Sequence, residues 1–129
     1  MRCAATSVVL LLAGAGPAIA CDPPALAGAA RIEGTQHVVL IRSVPAPPPL
    51  NAAFIVEIAA CARRGIAVAV PRIDAWMPAH RHGMNYRPVV SSTAPGAFRA
   101  EGLLLHMPGR WEFVIELGGE RLTKVQDIE

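Results

Sequence analysis

Apolar and polar residues alternate with a period of two along most of this chain, and no stretch carries a sustained 3.6-residue period of an amphipathic helix. The clearest case is Trp111 to Leu117. Trp111, Phe113, Ile115 and Leu117 fall on one face and Glu112 and Glu116 on the other, which predicts a half-buried strand. Gly118-Gly119 then predicts a hairpin into a strand over Arg121 to Val125. Upstream, Phe98 to Met107 alternates in the same way and runs into a turn at Pro108-Gly109. A shorter strand is predicted around Val89 to Ser92, closed by T-A-P-G at Thr93 to Gly96.

The N-terminal half reads similarly. Arg31 to Arg42 is one predicted strand around the β-branched-rich run Val38, Val39, Leu40 and Ile41. P-A-P-P-P at Pro45 to Pro49 is too dense in proline for a ladder or a helix, so it reads as a stiff connector rather than a proline-recognition ligand. Asn51 to Ala62 fits a buried strand or an alanine-rich helix, and the alternation of Phe54, Val56, Ile58 and Ala60 favours the strand. After a turn at Arg63-Arg64-Gly65, Ile66, Val68 and Val70 alternate against Ala67 and Ala69 and predict a further strand. Ile73, Ala75 and Met77 resume one step out of phase, which places Pro71 at a bulge or an edge. About seven short strands separated by turns predict an all-β fold, an antiparallel immunoglobulin-like β-sandwich.

Composition narrows the setting. The first 20 residues read as a secretory signal peptide, with Arg2, an apolar run from Ala4 to Gly16 and an A-x-A site at Ala18-Ile19-Ala20. That run is too short to span a bilayer, and no later segment reaches that length without charge or proline, so no membrane span is expected. Residues 21 to 129 are the right size for one domain, expected to be periplasmic or secreted. The formal charge of +2, about +1 without Arg2, is spread over interspersed acids and bases, and gives no case for nucleic acid. Two readings of the mature N-terminus stand: a disulfide between Cys21 and Cys61, or a lipid anchor on Cys21. The disulfide is favoured, because Ala18 stands where a lipobox normally has leucine and lipidation would leave Cys61 as an odd thiol.

The candidate chemistry lies in W-M-P-A-H-R-H-G-M-N-Y, Trp76 to Tyr86, which holds two of the four histidines and two of the four methionines. His106-Met107 adds one of each, and His37 lies elsewhere. Thioether and imidazole together suit copper, Cu(I) above all and Cu(II) through the imidazoles, whereas hard cations have little use for sulfur. His80, His82, Met84 and His106 or Met107 form the expected ligand set, with Met77 in reserve and Gly83 letting the backbone double back. Taken singly, each of these is an ordinary core methionine or solvated histidine. Neither Cys21 nor Cys61 is near enough in sequence to supply the thiolate of a blue-copper centre. Ser91, Ser92 and Asp74 belong to no nucleophile motif, and no enzyme is expected. Asp74 and Glu101 are expected to pair with Arg72, Arg87 or Arg99 on a solvated face.

D-A-W-M-P-A-H-R-H-G-M-N-Y at Asp74 to Tyr86, with A-E-G-L-L-L-H-M-P-G-R-W-E-F at Ala100 to Phe113, resembles the YtkA-like domain family, itself similar to FixH-type proteins. The resemblance covers about half of residues 21 to 129. It implies a small exported or membrane-anchored β-sandwich linked with copper handling or with assembly of copper-containing respiratory enzymes. It also implies that Met77, His80, His82, Met84, His106 and Met107 face the metal, while Pro108, Gly109 and Trp111 belong to the fold. The transmembrane anchor of FixH-type proteins is not expected here. The leading expectation is a periplasmic copper chaperone or buffer that exchanges the ion with a copper-donating or copper-accepting protein. The alternative is a metal-free interaction module whose Trp76, Arg81, Tyr86 and Arg87 contact an exported partner.

Overall fold

The computed structural model describes residues 20–129, so the expected signal peptide lies, apart from Ala20, outside the described residues. Within them the chain forms strands β1 (Ala30–Glu33), β2 (His37–Val44), β3 (Phe54–Ala62), β4 (Arg72–Met77) and β5 (His82–Gly83). They are followed by β6 (Val89–Ala94), β7 (Ala97–Leu103), β8 (Gly109–Leu117) and β9 (Glu120–Ile128). Two antiparallel sheets result, one in the order β1-β2-β3-β7-β6 and the other β5-β4-β8-β9. This is an all-β sandwich, and β2-β3-β7-β6 against β5-β4-β8-β9 follows the immunoglobulin strand order.

The period-two faces meet in the core. Val39, Ile41, Val56, Ile58, Phe98 and Ala100 of the first sheet pack against Ile73, Ala75, Met77, Trp111, Phe113, Ile115 and Leu117 of the second. Among the described residues no helix is long and apolar enough to cross a membrane. Cys21 and Cys61 form a disulfide with Cα atoms 5.8 Å apart, tying the described N-terminus to β3.

Several expectations need correction. Arg31 to Arg42 is a hairpin rather than one strand: the polar residues Gly34, Thr35 and Gln36 turn the chain, Gly34 N–H donates to His37 O at 2.8 Å, and β1 folds back on β2. Ile66 to Val70 forms no strand despite its alternation. It joins β3 in one sheet to β4 in the other, and Ile66 and Val70 are 64% and 54% exposed. A segment crossing between sheets has no neighbouring ladder to complete. The strand expected to reach Met107 ends at Leu103, after which Leu105 makes only an isolated parallel bridge to Leu50. Splitting the first strand and adding the two-residue β5 raise the count from about seven to nine.

Candidate metal centre

Where β4 ends at Met77, the chain reverses through His80 N–H to Met77 O (3.2 Å) and Arg81 N–H to Pro78 O (3.3 Å). The left-handed position that this reversal needs is taken by Arg81, at φ 54°, not by Gly83 as the sequence led us to expect. Gly83 eases a close approach instead. A Cβ there would lie 3.2 Å from Ala75 O, against which β5 is pressed. The β4–β5 register sets His82 across from Met77, so the imidazole falls on the core-facing side, at one end of the sandwich.

The second segment arrives from the other direction. After β7, His106 and Met107 cross to the start of β8, and both are half-buried. Trp111, fully buried on β8, donates its indole N–H to Met107 O at 3.0 Å and so pins that turn. Its ring stands edge-on to both imidazoles, 5.6 Å from His82 and 5.7 Å from His106. Gly109 begins β8 at φ 127°, with space above it taken by Met77, whose Cε would be 3.0 Å from any Cβ added there.

These elements bring His82 and Met107 into contact, Nε2 to Sδ at 3.1 Å. The His106 ring lies 5.1 Å from that of His82, and the His80 ring stacks on His82 from the exposed side at 5.8 Å. Of the other two sulfurs, Met77 is enclosed by the core at 1% exposure, and Met84, partly buried and packed against the core as Met107 is, donates its N–H to Ala75 O at 3.2 Å.

The donors fit a soft cation. At His82 both ring nitrogens face acceptors, Nδ1 toward Gly83 O at 3.3 Å and Nε2 toward the Met107 sulfur. A neutral imidazole has one N–H to offer. If Nδ1 carries it, the Nε2 lone pair points at a sulfur lone pair, an arrangement that an electrophile between them makes favourable. Metal–nitrogen and metal–sulfur bonds of about 2.0 and 2.3 Å place two ligands of one ion about 3.5 Å apart, close to the spacing found. His106 Nδ1 is buried with no hydrogen-bond partner, which is costly unless something else satisfies it. Among the described residues no three His, Cys, Asp or Glu side chains come together as a metal site, and the third donor near the two imidazoles is the thioether of Met107.

The contact residues of the alternative reading separate. Trp76 projects from the outer face of β4, 37% exposed, and lines a cavity together with Arg87. Tyr86 and Arg81 are exposed but do not line it. The expected ion pairs are partly rearranged: Arg99 holds Glu101 at 2.9 Å, Arg72 pairs with Glu116, and Asp74 accepts the N–H of Ala75 at 2.8 Å.

One polar site escaped sequence reasoning. Glu120 at the start of β9 accepts hydrogen bonds from Thr35 N–H (2.5 Å), Thr35 Oγ1 (3.0 Å) and Gln36 N–H (3.1 Å), and meets His37 Nδ1 at 2.8 Å. Burial of the carboxyl works to raise its pKa, but the bonds from His37, Gln36 and Thr35 outweigh it and hold the value at about 2. The E-G-T-Q turn next to a buried histidine was the available signal, yet nothing local pointed to a partner 83 residues away.

Comparison of the chain with family models, with curated proteins and with solved structures finds no match.

Proposed function

We propose that this protein binds Cu(I) through His82, His106 and Met107, with His80 at the exposed rim where an ion enters or leaves. The observation that carries the reading is the His82–Met107 contact of 3.1 Å between two donors from separate segments, beside the unpartnered nitrogen of His106. The proposed ion would be held by these side chains and would neutralise the facing lone pairs. The same imidazoles could take Cu(II), and zinc would be the poorer fit because of the sulfur. Half-burial suits exchange with a copper-donating or copper-accepting partner, because an incoming ligand must reach the ion. The disulfide supports an oxidising, exported setting, for which the periplasm is our proposal. The resemblance to YtkA-like domains supports the same role.

The test is titration of the protein with Cu(I) against a competing chelator. One ion per chain is expected, with affinity falling about a hundredfold or more in His82→Ala and Met107→Ala. Absence of stoichiometric binding, or binding unchanged in both variants, rejects the reading.

A further inference from the structure

β4 is paired on one side only for most of its length. β8 runs beside it from Arg72 to Trp76, whereas β5 covers the other side at Trp76 and Met77 alone. In an antiparallel ladder a residue's N–H and C=O point to one side, and alternate residues point to opposite sides. Met84 N–H donates to Ala75 O, so Ala75, and with it Ile73, directs its backbone groups away from β8. At Ala75 both groups are satisfied, the carbonyl by Met84 and the N–H by Asp74 Oδ1. The same register would put Tyr86 across from Ile73, but the chain bends at Asn85 and Tyr86 and leaves through Pro88, which has no N–H. No β5 residue therefore reaches the Ile73 edge.

A cavity of about 720 Å³ opens there and continues over the outer face of β4 and β8, walled by Ile73, Trp76, Val90 and Val114 with Arg72 and Arg87 among its charged residues. Its charges lean positive. Arg72, Arg87 and Arg121 face Asp74 and Glu116, and Arg72 and Arg121 both pair with Glu116. Asp74 is engaged by its own strand, and Arg87 has no acidic partner among the described residues. None of His80, His82, His106 and Met107 lines this cavity.

We propose that this groove docks an extended, acidic segment of a partner protein as an added strand on β4. The backbone of the segment pairs with the N–H and C=O of Ile73, apolar side chains on its two faces lie against Trp76 and Val90, and a carboxylate meets Arg87. A peptide is favoured over a small acid because the open edge offers a donor and an acceptor in the in-line arrangement of a β ladder.

The test combines amide hydrogen exchange of the full chain with an immobilised library of acetylated, amidated random peptides about seven residues long. The free protein should exchange the Ile73 amide far faster than those of Ala75 and Ile115. Retained peptides should alternate Asp or Glu with β-branched residues and slow Ile73 exchange about tenfold or more. Arg87→Glu, a change at an exposed side chain, should weaken those peptides about tenfold and favour lysine-containing ones. An Ile73 amide already protected in the free protein, no retained peptide, or retained peptides that leave Ile73 exchange unchanged would overturn the proposal. So would free succinate perturbing Arg87 as strongly as the peptides do, which would make this a small-anion site.

Discussion

His82 and Met77 stand across from each other on the same face of β4 and β5, and their fates diverge within one residue pair. Met77 is enclosed by the core, so Met77→Ala should cost about 2–5 kcal/mol through lost burial and the cavity left behind. Denaturant unfolding measures that cost, and Cu(I) affinity of the folded variant should stay near that of the parent. Met107→Leu should do the reverse. Leucine keeps most of the volume, so stability should change by less than about 1.5 kcal/mol. Loss of the sulfur should lower Cu(I) affinity about a hundredfold. A Met107→Leu variant that binds Cu(I) as the parent does would remove the thioether from the site. The softness of the donor set was legible in the sequence, because it depends on residue type alone. Which methionine stands against His82 was not: at strand ends methionines read alike, and here Trp111 pins the turn of Met107 while Met77 fills the space over Gly109.

The β1–β2 turn and the first residue of β9 belong to different sheets and are joined by one carboxylate. The Glu120 side chain is 10% exposed and its bonds favour the ionised form, so the fold lowers its pKa below the ordinary value of 4.5 to about 2. A depressed carboxyl stabilises the fold fully above the unfolded pKa and ceases to do so as pH falls through the folded value. Glu120→Gln should therefore cost about 2 kcal/mol at neutral pH. The gap from the parent should close between about pH 4.5 and about pH 2, as followed by urea unfolding across that range. A constant gap across the range would show that the carboxylate charge is not what holds the turn. The middle of β9 shows a different use of charge. Lys124 lies on the core-facing side of this edge strand, 6.0 Å from the Phe113 ring centroid, with burial holding its ammonium below the usual lysine range. A cation turned inward discourages edge-to-edge pairing.

At the scale of the whole molecule, the disulfide closes a loop of 40 residues and anchors the start of the described chain to β3. Constraining the unfolded chain over that length contributes about 4 kcal/mol. Cys61→Ala, or reduction of the parent, should lower stability by up to about that amount, read by thermal unfolding with and without reductant. The residue types and their spacing determined the β class, the inward faces of β3, β4 and β8, and a cysteine pair that oxidation would join. Each of these is a local property: side chains alternate along any extended strand, whatever it later pairs with. The tertiary structure alone decided that Ile66 to Val70 would be a crossing and not a strand, because alternation supplies faces while a strand also needs a neighbour for its hydrogen bonds. It alone decided that His82 meets Met107, and that Glu120 closes on His37. Those contacts depend on which strand ends the Greek-key order sets side by side, and that order is settled by packing two sheets over one core, beyond the reach of any short window of sequence.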